Sequence, residues 1–161
     1  MGSPNRYSRW KANWDSIVAA VQAEMATGHS LQAVQVLTRS EQPTTELAPY
    51  IGVQYKSSRW EIIGQGARRE TATFAVVCFV VQGYSDTVPD TASAALAQLQ
   101  PLVNDGAGGG LEPLLMGLSV ASLLTQVTTL EMDVIPGDAV TSQAIAYARF
   151  ELTTVDQVRS L

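Results

Sequence analysis

With 161 residues, 46% of them apolar and only 16% charged, the chain has room for one ordinary core and not two, since a domain of this size buries roughly 70% of its unfolded surface. The net charge of −5 argues against sequence-independent DNA binding, which needs several phosphates neutralised at once. So small a charged fraction implies that part of the surface meets other protein.

Taken in order, residues 8–27 place Trp10, Trp14, Ile17, Val18, Val21 and Met25 on one face of a helix, and Gly28 is its stop. Residues 31–38 predict a short first strand around Val34 and Val36. The polar, proline-containing stretch 39–49 reads as a loop. Residues 50–56 (YIGVQYK) alternate as a strand with an aromatic-rich face. A turn at Ser57 and Ser58 then leads into 59–63, read as a continuation of the strand or a short return strand. Next comes GQGARR, residues 64–69, read as a mobile loop with Arg68 and Arg69 at its tip. Together with 50–63 it predicts a hairpin arm projecting from the sheet.

The chain is organised around residues 71–83, TATFAVVCFVVQG, an apolar run rich in β-branched and aromatic residues that reads as a central strand. Ala72, Phe74, Val76, Cys78 and Val80 share one pleat face, and Ala75, Val77, Phe79 and Val81 the other. Both faces therefore need cover, and the amphipathic helices on either side in sequence are expected above and below. After this strand, Pro89 suits a helix first turn with Asp86 or Thr87 as cap. Pro101 is expected to kink or end that helix near Leu99. A flexible turn (NDGAGGG, 104–110) precedes a short helical piece over 111–118. Residues 126–135 and 143–153 alternate as two strands of a hairpin closed by Pro136, Gly137 and Asp138.

The expectation is a single α+β domain over 1–161, a mixed or antiparallel sheet flanked by helices, with 1–7 flexible and 154–161 a C-terminal tail. The charge along it is uneven. Residues 1–70 hold eight basic groups against six acids, and residues 71–161 hold only Arg149 and Arg159 against nine. Such asymmetry favours contact between unlike protein surfaces.

Motifs for chemistry are weak. GQGARR has Arg69 where a dinucleotide fingerprint needs its third glycine, and it precedes a strand where that motif needs a helix. The 106–110 turn lacks the Lys-Ser or Lys-Thr of a phosphate loop. His29 is the single histidine and Cys78 the single cysteine, which gives neither a zinc set nor a Cys-His pair. Cys78 reads as a small buried hydrophobe. Glu131 and Asp133 share one strand face, an arrangement able to bind a hard cation but more often a solvated face. No catalytic, cofactor or metal residues are assigned. The absence of a basic-apolar leader and of an apolar run of membrane length gives the expectation of a soluble chain made in the cytosol, with no membrane partner.

The order of elements resembles that of tail terminator and tail-completion proteins of long-tailed bacteriophages, the lambda-type tail terminator family. The opening helix WKANWDSIVAAVQAEM, the strand PYIGVQY, the arm GQGARR, the long strand TATFAVVCFVVQG, the helix from Pro89 and the closing strand 144–153 carry the likeness. The resemblance implies a virion protein and not an enzyme. It implies a hexameric ring that caps the head-proximal end of the tail tube and meets the neck or head-completion protein. DNA would pass through the lumen without specific binding, and assembly would take place in the host cytoplasm. Candidate interface residues are Arg6, Arg9, Lys56, Arg59, Gly64, Gly66, Arg68 and Arg69. The alternatives are a neck or tail tube subunit and, from another class, a small-molecule-binding domain with Tyr50, Tyr55, Trp60 and Arg68 around a pocket.

Overall fold

The computed structural model describes residues 8–40, 49–85, 87, 90–120, 122, 124–136 and 143–159. In chain order they form α1 (Trp10–Glu24), β1 (Val36–Thr38), β2 (Tyr50–Gly64), β3 (Ala67–Gly83), α2 (Thr91–Val103), α3 (Leu111–Met116), β4 (Leu124–Ile135) and β5 (Gln143–Arg159). The strands make one five-stranded mixed sheet in the order β1-β2-β3-β5-β4. Only β1 and β2 run parallel. The α+β class expected from the element order is the observed one.

The apolar run lies in β3, the middle strand. Its Ala72, Phe74, Val76, Cys78 and Val80 are all buried in the main core. That core also takes Ile17 and Val21 of α1, Ala95, Leu99, Leu102 and Val103 of α2, and Leu111 and Leu115 of α3. All three helices therefore pack on one face of the sheet, which corrects the expectation of helices above and below. The physical reason is that their apolar stripes fill a single cluster with the same pleat row. Burying each large side chain there stabilises the fold by about 1.5–3 kcal/mol.

The opposite row, Ala75, Val77 and Phe79, is covered differently. Tyr50, Val77 and Phe79 form a second, smaller cluster, with Val36, Ile145 and Tyr147 packed against it, and every member belongs to a strand. Tyr50, Phe79 and Tyr147 make a row across β2, β3 and β5, with ring centroids 5.9 and 6.1 Å apart. Offset aromatic neighbours at such distances add to area burial. Cross-strand rings thus do locally what a helix layer does on the other side.

Several boundaries move for identifiable reasons. The first strand shrinks to Val36–Thr38, because Leu31 and Val34 are buried from turns, with Val34 N–H donating to the Leu31 carbonyl at 3.0 Å. α2 continues through Pro101 to Val103, since Leu102 and Val103 are buried and Asn104 N–H still reaches the Gln100 carbonyl at 2.9 Å. Its cap is Asp90, which accepts from Ser93 N–H at 3.1 Å and Ser93 Oγ at 2.8 Å. Those bonds hold the Asp90 carboxyl below the usual aspartate range. The expected cap Asp86 and the expected first-turn Pro89 lie outside the described residues, as do Gly137 and Asp138 of the closing turn.

Residues 154–159, read from the sequence as a tail, are strand. β5 pairs with β3 along the whole length of both, from Gln143 opposite Gly83 to Arg159 opposite Ala67. The β2–β3 hairpin is consequently the end of a three-stranded ribbon, and not a free two-stranded arm.

Candidate assembly surfaces

β2 has no turn at Ser57 and Ser58. It carries a bulge instead, in which Tyr55 opposes Phe74, Ser57 opposes Thr73 and Lys56 is the extra residue. A one-residue insertion exchanges the faces of everything beyond it. The bulge therefore turns Ser58, Trp60 and Ile62 toward the helix side, and Ser57, Arg59 and Glu61 toward the open face.

The hairpin closes tightly at Gln65 and Gly66, with Gly64 opposite Ala67. Gly66 takes φ +72°, a left-handed conformation that glycine adopts without steric cost. Arg68 and Arg69 are therefore not at a mobile tip, as expected, but in β3 between β2 and β5. Period-two alternation sends them to opposite faces. The Arg68 guanidinium lies 3.9 Å from the centroid of the Trp60 ring, a cation–π stack that fixes the charge on the helix side of the hairpin. Arg69 pairs across the strands with Glu61 at 3.6 Å, an exposed contact of small energy.

Of the other candidate residues, Lys56 and Arg59 are exposed and Gly64 is a strand end with open space about it. Arg6 lies outside the described residues. Arg9 is not part of the hairpin. It opens α1, and its Nε stands 3.9 Å from Asp156.

Sequence reasoning missed the cluster around Arg9. Glu70 and Asp156 face each other on β3 and β5 and are 0% and 5% exposed. Glu70 accepts from the Arg9 backbone N–H at 2.9 Å and from the Ser8 hydroxyl. It thereby supplies, from a distant strand, the acceptor that the α1 N-terminus lacks locally. Asn13 donates to Asp156 at 2.8 Å and to Thr154 at 3.1 Å. Burial pushes the Asp156 carboxyl up, against the lowering effects of Asn13 and Arg9. The cluster locks α1 onto the distal ribbon. An acidic residue in period with Leu152 and Thr154 was the available signal for it.

Between α3 and β4, a cleft of about 170 Å³ is lined by Glu112, Met116, Val127, Leu130 and neighbouring backbone, with Phe150 among its walls. On the open face beyond it, Glu131 sits opposite Arg149 and accepts from the Tyr147 hydroxyl at 3.4 Å. Burial and the Glu131 charge raise the Tyr147 pKa.

The four residues named for a small-molecule pocket do not share one face, although Trp60 and Arg68 are stacked together. Tyr50 belongs to the open-face cluster, whereas Tyr55 packs against the main core. Cys78 is buried, and desolvation pushes its thiol up to about 12, which makes it inert. Among the described residues no group of acids, histidine and cysteine is placed to hold a metal. No helix among them is long and apolar enough to cross a membrane. No protein-family model and no curated protein matches the chain.

Proposed function

We propose that the chain is a structural subunit of a phage tail: a tail terminator that forms a hexameric ring, caps the head-proximal end of the tail tube and offers the opposite side of the ring to a neck or head-completion protein. It works by shape and charge and not by catalysis, in the virion, around DNA that passes without specific binding. The observation that carries the reading is the one-sided build. Among the described residues three helices cover one face of a long sheet, while the other face and both edges are left to side chains alone. A chain that repeats head to tail around a ring needs two unlike free surfaces. Two sheet edges of different composition, on a domain with a basic front half and an acidic back half, fit that need.

The test is to add the purified chain to polymerising tail tube subunits and measure tube lengths by electron microscopy. A terminator shortens the tubes and appears at one end. Tubes that lengthen by incorporating it mark a tube subunit. Tubes of unchanged length with bare ends sink the reading.

A further inference from the structure

Two buried carboxylates lie under the start of α1, and the helix treats them unequally. Glu70 and Asp156 are directly opposite in the β3–β5 ladder, a placement that sets like charges against each other across roughly 5 Å. Glu70 has a donor on each oxygen, the Ser8 hydroxyl on one and the Arg9 backbone N–H at 2.9 Å on the other. Asp156 takes the Asn13 amide at 2.8 Å on Oδ2, whereas its Oδ1 has Arg9 Nε at 3.9 Å, too long for a hydrogen bond. Glu70 is thus set up to be ionised and Asp156 to keep a proton. The same stretch of chain holds Trp10 against Tyr55, with ring centroids 4.6 Å apart.

We infer that the start of α1 is a proton-controlled catch: with one proton held on the Glu70–Asp156 pair it is seated on β3 and β5, and loss of that proton lets residues 8–13 lift while the sheet stays folded. Among the described residues few charged groups face the pair. α1 contributes Arg9, since Lys11 and Asp15 pair with each other on its exposed side. β3 contributes Arg68, on the same pleat row as Glu70, with its guanidinium over the Trp60 ring. β2 presents Trp60 opposite Glu70, β5 flanks Asp156 with Thr154 and Val158, and β4 brings Thr125 opposite Thr154. Arginines stay charged throughout, so only the two acids titrate, and they do so as a coupled pair.

Seated, α1 keeps water from both acids, and ionising the second puts two like charges face to face in a dry site. Lifted, it leaves both to water and draws Trp10 off Tyr55. The seated form therefore binds more protons than the lifted one between the ordinary aspartate value and the higher value that burial gives Asp156. Over that interval each pH unit favours lifting by at most about tenfold, and above it the effect levels off.

Amide exchange of the full chain, with each rate divided by its unstructured value at the same pH, tests the catch. A local lift exposes little surface and responds weakly to low urea, whereas global unfolding responds strongly. The Asn13 amide, which donates to the Arg9 carbonyl at 2.9 Å, is expected to be less protected than the Val77 amide of β3 and insensitive to low urea. Its protection should fall at least about threefold between about pH 4 and 7. Asp156→Asn keeps the acceptor for Asn13 and should abolish the fall. If that variant does not fold, Glu70→Gln removes the opposing charge, and the fall should shrink or move to lower pH. Protection at Asn13 that is flat with pH, or that matches Val77 in size and urea response, overturns the inference. So does a fall that survives Asp156→Asn or is unaltered by Glu70→Gln.

Discussion

The two faces of the sheet come from the same alternation of apolar side chains along β3, yet they are kept from water by different means. On one face Phe74, Phe150 and Leu152 are 0% exposed beneath three helices. On the other, Phe79 is 8% exposed beside two tyrosines, with no helix against it among the described residues. A layer of helices excludes water from many positions at once, whereas a row of aromatic side chains shields only its own neighbours. The helix-bearing face therefore holds most of the stability.

The difference is sharpest in truncation. Phe150→Ala is expected to destabilise the chain by about 3–5 kcal/mol, through lost transfer energy and the cavity left behind. Phe79→Ala should cost about 1.5–3 kcal/mol, because that side chain borders solvent and its site can collapse. Urea unfolding of the two variants measures the gap, and equal losses would erase the distinction between the faces.

Next in size is the bond from Glu70 to the α1 N-terminus, which ties the helix layer to the distal ribbon. Glu70→Ala removes the acceptor for Arg9 N–H and should cost about 1–3 kcal/mol. Amide exchange at the start of α1 should rise more than in α2, whose cap Asp90 is local.

The neighbouring Asp156 gives a pH signature. Its pKa is raised in the folded state, chiefly by burial, so the folded chain holds that proton more tightly than the unfolded one. Its contribution to stability is fully present below the ordinary aspartate value and is lost as pH rises through the folded value. Asp156→Asn keeps an acceptor for Asn13 and removes that loss. Thermal unfolding followed from about pH 4 to 7 should accordingly fall less in the variant than in wild type.

The smaller effects belong to the hairpin. Gly66→Ala should cost about 1 kcal/mol, because φ +72° is disfavoured for a residue with a Cβ. Ile62→Ser should change monomer stability by less than about 0.5 kcal/mol, its side chain being 85% exposed. If that substitution proves strongly destabilising in dilute solution, Ile62 is packed within its own chain and the contrast between core and hairpin fails.

Much of the architecture was legible because it depends on local pattern. The run TATFAVVCFVVQG marked the central strand, since only an element buried on both rows tolerates such a sequence. The apolar spacing over 8–27 marked α1, although the helix ends at Glu24 and not at Gly28, and the alternation over 126–135 and 143–153 marked the last two strands. The arginines were misplaced because two glycines in GQGARR read as a long loop, whereas the ladder from β5 extends the strand as far as Ala67. Glu70 and Asp156 passed unnoticed because burial of an acid is decided by what a distant helix brings to it.

By itself, the sequence determined which elements form, that β3 lies at their centre and that both of its pleat rows leave water, all consequences of side-chain periodicity along one segment. Only the tertiary structure decided that all three helices share one face, that a bulge at Lys56 reverses the outer half of β2, and that two carboxylates meet beneath α1. An amphipathic stripe specifies that a helix must be buried but not against which surface. Strand register and the partners of a buried charge arise only when segments far apart in the chain are brought together.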